Sequence, residues 1–292
     1  MLFPDLTGLK LHKIIKKTVV DFVDDELPTY ASALAFQLFF SLFPFLLFLV
    51  AIIGVLDIQP FFDWLRQQAA LVMPSAAYDL VNPAIDQLQS KKAGLFSVAI
   101  VIALWTASSA VRSVMVATNR AYGVKEGRPA WKRFPLSFIY TIAIAITLLG
   151  AAGLMVLGPQ AFNWIAQQLG IEQIVVTLWA ILRWPVAIAM LMLVVSVVYY
   201  VAPDVEQEFR FITPGSILAV IVWITASLGF SYYAQNFADY NATYGSIGAI
   251  IVLLLYLYIS SAVLLFGAEL NAVIEHSVEE GKDPGEKQID PD

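Results

Sequence analysis

The sequence predicts an all-α membrane protein with six transmembrane helices, and three observations carry that reading. Of 292 residues, 59% are hydrophobic and only 14% are charged, against about a quarter charged in an ordinary soluble domain. Mean hydropathy is +0.74. The apolar residues gather into six long, continuous segments separated by polar connections. A soluble chain of this length could not cover so much apolar surface around one core, whereas lipid solvates it. Spanning strands fit badly, because they would alternate polar and apolar side chains.

A helix crosses the hydrocarbon layer with about 20 mainly apolar residues. The first candidate covers 31–56 and contains "ALAFQLFFSLFPFLLFLVAIIGVL". The second covers 93–116, and the third, 134–158, holds no charge. The fourth covers 180–202, the fifth 215–237 and the sixth 246–271. They form a single membrane domain over 31–272.

Residues 1–30 precede it as a leader. Lys10, Lys13, Lys16 and Lys17 interleave there with Leu9, Ile14, Ile15 and Val19, the pattern of an amphipathic helix. Such a helix either lies on the membrane surface or packs on the bundle. No short apolar run closed by a small-residue cleavage site marks it as a signal peptide.

Basic residues orient the spans. The leader lysines, Arg112, Arg120, Lys125, Arg128, Lys132, Arg133, Arg210, Lys282 and Lys287 fall on one side in this topology. By the positive-inside tendency that side is cytoplasmic, which puts both termini there. Arg66, Lys91, Lys92 and Arg183 are left for the outer side. The localisation expected from the residues is a membrane crossed several times, with both ends in the cytoplasm.

Two outer connections carry apolar periodicity of their own. Residues 60–90 space Phe61, Phe62, Trp64, Leu65, Leu71, Val72, Leu80, Ile85 and Leu88 like amphipathic helices broken by Pro74 and Pro83. Residues 160–173 repeat the style with Phe162, Trp164, Ile165 and Leu169. The tail, 273–292, has little to bury after Ser277 and is expected to be disordered on the cytoplasmic side.

Several chemistries are excluded or weakened by composition. Without cysteine there is no disulfide, thiolate metal site or thiol nucleophile. The two histidines, His12 and His276, stand near opposite ends of the chain. No glycine-rich phosphate loop is present, and a net charge of -6 offers no broad surface for nucleic acid. The expected catalytic, metal and cofactor sets are therefore empty.

Polar side chains inside the spans are the candidate functional residues, because burying them in lipid is costly unless they pair or face a wet cavity. Arg112 and Glu269 lie at comparable depth in helices running the same way, so a direct pair or shared network is expected. Gln37, Asn119, Gln235, Tyr244 and Asn271 add hydrogen-bonding groups, and Arg183 sits near the outer end of its helix just before Trp184 and Pro185. Together these residues make a polar network or substrate path. Small residues in "WTASSAVRS" and "GSIGA" suit close helix packing.

Four stretches carry a family resemblance: "ASALAFQLFFSLFPFLL" at 31–47, "LWTASSAVRSVMVATNRAYGV" at 104–124, "RFITPGSILAVIVWITASLGFSYYAQNF" at 210–237 and "YNATYGSIGAIIVLLLYLYISSAVLLFGAELNAV" at 240–273. In these the chain resembles the YihY/BrkB family of bacterial inner-membrane proteins, formerly labelled ribonuclease BN-like. Family motifs fall on Ser41, Pro44, Trp105, Ser108, Arg112, Asn119, Tyr122, Pro214, Gly215, Tyr244, Gly245, Ser246, Gly267, Glu269 and Asn271. The resemblance implies six spans and a role at the cell envelope. Relatives are linked to serum resistance and to export of lipopolysaccharide precursors.

The function expected from residues and resemblance together is a transporter or flippase-like protein for an amphiphilic or anionic lipid substrate. A non-transporting scaffold or envelope-assembly factor is the alternative. Membrane lipids, further copies of the chain and envelope proteins are the expected partners. A metal-dependent ribonuclease would need clustered histidines or carboxylates that the sequence lacks.

Overall fold

The computed structural model describes residues 11–55, 93–147, 150, 172–207, 211–236, 240–277 and 285–288. Among them the regular structure is helical throughout, with no strand. Seven helices follow in order: α1 Leu11–Asp24, α2 Leu27–Val55, α3 Ala93–Ala121, α4 over 130–147, α5 Glu172–Val201, α6 Pro214–Asn236 and α7 Tyr240–Glu275.

Four of these contain stretches long and apolar enough to cross a membrane: Val101–Ala121, Thr177–Val201, Pro214–Tyr233 and Ile250–Glu275. A shorter apolar stretch, Leu27–Leu42, lies in α2. The four overlap the second, fourth, fifth and sixth expected spans, and the shorter stretch overlaps the beginning of the first. The third begins within α4, and its remainder past 147 lies outside the described residues apart from position 150. So do the amphipathic segments expected over 60–90 and most of 160–173.

Helix ends follow local chemistry. Glu26 at φ 57° turns the chain between α1 and α2. Gly123 at φ 67° ends α3, the left-handed position that a Cβ disfavours. Thr213 caps α6 with Pro214 in its first turn. The Ser216 N–H donates to Thr213 Oγ1 at 3.1 Å while the Thr213 N–H donates to Ser216 Oγ at 2.9 Å, a reciprocal cap.

Helix α7 is the centre of the packing, touching α1, α2, α3 and α6. Ala31, Ala117 and Leu265 form one buried cluster where α2, α3 and α7 meet. Val195, Tyr199, Ala219, Val220 and Ala268 form another between α5, α6 and α7. Ile14 of α1 packs on Leu270, Val273 and Ile274.

Polar side chains stitch the helices within the apolar region. Ser113 Oγ donates to Gln37 Oε1 at 2.6 Å, Trp223 Nε1 donates to Ser260 Oγ at 3.1 Å, and the Ser227 and Tyr256 hydroxyls bond at 3.1 Å. Such bonds are each modest but leave few polar atoms facing lipid unpaired. Large apolar side chains, among them Val101, Trp105, Ile181, Trp184, Ile221, Leu228 and Ile251, remain exposed on the outer faces of these helices. That surface suits hydrocarbon rather than water.

Candidate functional site

Arg112 is the centre of the first polar group. Trp105, Ser108 and Arg112 stack at helical spacing on one side of α3 and meet Phe134 and Ser137 of α4. The Arg112 Nη1 donates to Ser108 Oγ at 2.8 Å and to Ser137 Oγ at 3.0 Å. Those hydroxyls donate in turn to backbone carbonyls, Ser108 to Trp105 and Ser137 to Phe134, at 2.8 and 2.7 Å. The guanidinium carbon lies 4.6 Å from the Phe134 ring centroid and 5.8 Å from that of Trp105. Aromatic faces and two hydroxyls therefore hold the cation, with no carboxylate paired to it among the described residues. The charged neighbour that acts on it is Arg133, a second cation whose buried Nε has no hydrogen-bond partner among the described residues.

The expected Arg112–Glu269 pair is not made. Ala117 and Ala121 turn toward α2 and α7, as their packing with Leu265 and Ala272 shows. At about 100° per residue, Arg112 lies roughly 140–180° around the helix from them, on the face that meets α4. The expectation rested on comparable depth, and depth does not set the direction in which a side chain leaves its helix.

Glu269 lies beneath α1. It is only 1% exposed, and its Oε2 has no hydrogen-bond partner among the described residues. Phe266 and Val273, on the same face of α7, meet α1 through the Phe22 ring at 5.4 Å and the Ile14 cluster. The charges acting on Glu269 come from Asp25, Asp21 and Lys17 of α1. Tyr122, just past α3, is fully buried, and its phenol is raised far above its ordinary range by burial, with Glu275 and Glu269 adding to the effect. Burial also pushes Asp25 up, against the pull of Arg120 and with Asp21 and Asp24 adding. Arg120 Nε lies 3.4 Å from Asp25 Oδ1.

Asn119 belongs to a different group, at the end of α3. Its Oδ1 accepts the Asp204 N–H at 2.6 Å and its Nδ2 donates to Glu126 Oε2 at 3.1 Å. Arg128 lies between both acids, with Nε 2.7 Å from Glu126 Oε1 and 3.6 Å from Asp204 Oδ1, and its Nη2 donates to the Ala202 carbonyl at 2.9 Å. Residues 285–288, from the segment expected to be disordered, lie against this group. Lys287 pairs with Asp204, its carbonyl accepts the Glu206 N–H at 2.8 Å, and Gln288 Nε2 donates to Glu206 Oε1 at 2.6 Å. An open cavity of about 500 Å³ borders Arg128, Tyr140, Tyr200, Asp204, Gln207 and Lys287.

Burial works to raise both carboxyls, but their donors prevail. Hydrogen bonds from Arg128 hold Glu126 below its ordinary value of 4.5. Lys287, the Gly127 N–H and Arg128 hold Asp204 below 3.8.

The remaining candidates are dispersed. Asn271 bonds the start of α6, and Gln37 bonds Ser113 next to Arg112. Arg183 is exposed on α5, its guanidinium carbon 5.5 Å from the Trp184 ring centroid. The side chains of Gln235 and Tyr244 lie outside the described residues. Among the described candidates, Arg112, Asn119, Glu269 and Asn271 thus fall in separate groups. Sequence reasoning also missed Arg133, Ser137, Asp204 and Lys287; the spacing of Arg133 and Ser137, four apart at the start of a helix, was the available signal. Among the described residues no group of three or more His, Cys, Asp or Glu side chains could hold a metal ion.

A bundle of long apolar helices with polar groups buried between them defines a helical membrane protein. The chain belongs to the family described as Virulence factor BrkB, whose match covers residues 18–290. It is 35% identical over 245 residues to the ribonuclease-like protein YfkH of Bacillus subtilis, covering 84% of this chain and 88% of that one. It is 30% identical over 267 residues to a UPF0761 membrane protein of Xanthomonas campestris, covering 85% of this chain but 57% of the relative. A Xanthomonas axonopodis relative matches at the same identity with 58% of its length covered, so the chain spans little more than half of these longer proteins. No solved structure matches it.

Proposed function

We propose that this protein is a six-span transporter of the bacterial inner membrane, with cytoplasmic termini, that moves an amphiphile with an anionic headgroup. One observation carries the reading: Arg112, a permanent cation within the span Val101–Ala121, is held by hydroxyls and rings and paired with no carboxylate among the described residues. A charge at that depth is costly to keep, and an anion arriving from the lipid would offset the cost. Arg133 beside it adds a second positive group. The exposed Trp105 on the same face of α3 offers an apolar surface for the rest of such a molecule.

The ribonuclease wording in the name of the Bacillus relative draws no support from this chemistry. Cleavage of a phosphodiester needs a base or a metal-bound water, and the Arg112 group offers cations, hydroxyls and aromatic rings.

The test is redistribution of labelled anionic lipid between leaflets of vesicles containing the protein. Protein-dependent movement is expected, slowed about tenfold or more by Arg112→Ala, the loss of a charge-assisted contact, while the folded fraction stays constant. Redistribution that is equal with and without protein removes the transport reading and leaves the scaffold.

A further inference from the structure

We propose that Glu269 is a proton-binding site that controls the docking of α1. This does not depend on what the protein carries. A carboxylate deprived of both water and a counter-ion is far more costly than the neutral acid, which forgoes only a hydrogen bond. Glu269 has lost its water, being 1% exposed, and its Oε2 has gained no partner among the described residues. Arg112, the cation that would neutralise it in the span, faces α4 instead.

The surroundings do not supply the missing charge. From α1, Asp21, Asp25 and Lys17 act on it, two acids against one base. Arg120 of α3 is occupied with Asp25. Tyr122, after α3, contributes a buried phenol, and Glu275 at the end of α7 and His276 just past it lie one to two turns on. Neither α2 nor α6 contains a charged residue, and Tyr30 of α2 packs near Leu265. A proton is the cation that fits this space, since the described residues offer no ligand set for a metal ion.

Helix α1 is what keeps the carboxyl dry. It crosses α7 through Ile14 and Phe22, on either side of Glu269 along the helix axis. Closure and proton binding are therefore linked: the closed arrangement favours the protonated acid, and alkaline conditions favour lifting α1 so that the carboxylate meets water.

The chain contains no cysteine, so the test needs no background removal. Spin labels on Val20→Cys and Val116→Cys, both exposed positions on α1 and α3, report the α1 position in lipid nanodiscs. Dicyclohexylcarbodiimide, which modifies protonated carboxyls in apolar surroundings, reports Glu269 by mass spectrometry. The label distance should lengthen with rising pH, and modification of Glu269 should fall about tenfold per pH unit beyond the midpoint. Glu269→Gln, a neutral near-isostere, should keep α1 closed at every pH. Distances and modification that ignore pH overturn the proposal. So does a Glu269→Gln protein that opens like the wild type, which would assign the titration to Asp21 or Asp25, or an opening that follows sodium rather than pH. Each of these readouts is separate from lipid movement.

Discussion

Gly215 and Gly267 bring α6 and α7 together backbone to backbone. A Cβ built on Gly215 collides with the Gly267 carbonyl oxygen, and one built on Gly267 collides with the Tyr199 hydroxyl and lies 2.7 Å from the Gly215 carbonyl oxygen. Tyr199 fixes the same crossing from α5 by donating to the Leu264 carbonyl at 2.7 Å. Asn271 completes it, accepting the Gly215 N–H at 2.8 Å and donating to Thr213 Oγ1 at 3.0 Å.

Alanine at either glycine should therefore destabilise the bundle. Overpacking of this kind costs about 1–3 kcal/mol, and the obstacle here includes backbone, which cannot rotate away. Thermal unfolding in detergent checks it. Gly229 of α6 serves as the control, because a Cβ there meets nothing within 4 Å. Gly229→Ala should stabilise by about 0.5–1 kcal/mol through helix propensity.

Asn271→Ala should lower stability by about 1–3 kcal/mol, since it strands the buried Gly215 N–H. The loss should appear as an earlier melting transition with no change in the pH response of α1. A pH response that vanished with Asn271 would tie this clamp to Glu269.

The tail contact should respond to acid and to salt. Asp204 and Glu126 both sit below their ordinary values in the folded protein. Groups depressed in this way stabilise above their unfolded values and lose that contribution as pH falls through the folded ones. Residues 285–288 should stay docked at neutral pH and detach only below about pH 4. High salt should weaken the partly exposed Lys287–Asp204 pair, and Lys287→Ala should release the tail at neutral pH. A fluorophore at Gln288→Cys follows the release as a fall in anisotropy.

Ser137→Ala should lower the affinity for anionic lipid less than Arg112→Ala does. It removes one of the two hydroxyls that orient the guanidinium at 3.0 Å and 2.8 Å but leaves the charge. Arg112→Lys should also fall short of wild type, because an ammonium lacks the planar face that lies over Phe134. Binding to vesicles of phosphatidylglycerol against phosphatidylcholine measures both. Equal binding by all variants would detach Arg112 from the substrate.

Sequence alone determined that this is a helical membrane protein and where its described apolar helices run, because both follow from the amount and continuity of apolar residues. It also identified Gly215, Gly267 and Asn271 as notable, though without saying that they meet. What only the tertiary structure decided is direction. Arg112 and Glu269 were expected to meet, yet the rotation of α3 and α7 sends one toward α4 and the other beneath α1. Arg133, Ser137, Asp204 and Lys287 looked ordinary in the chain because their roles come from partners 21 to 85 residues away. Composition and periodicity are summed along one helix, whereas a polar group takes its meaning from whatever the neighbouring helix turns toward it.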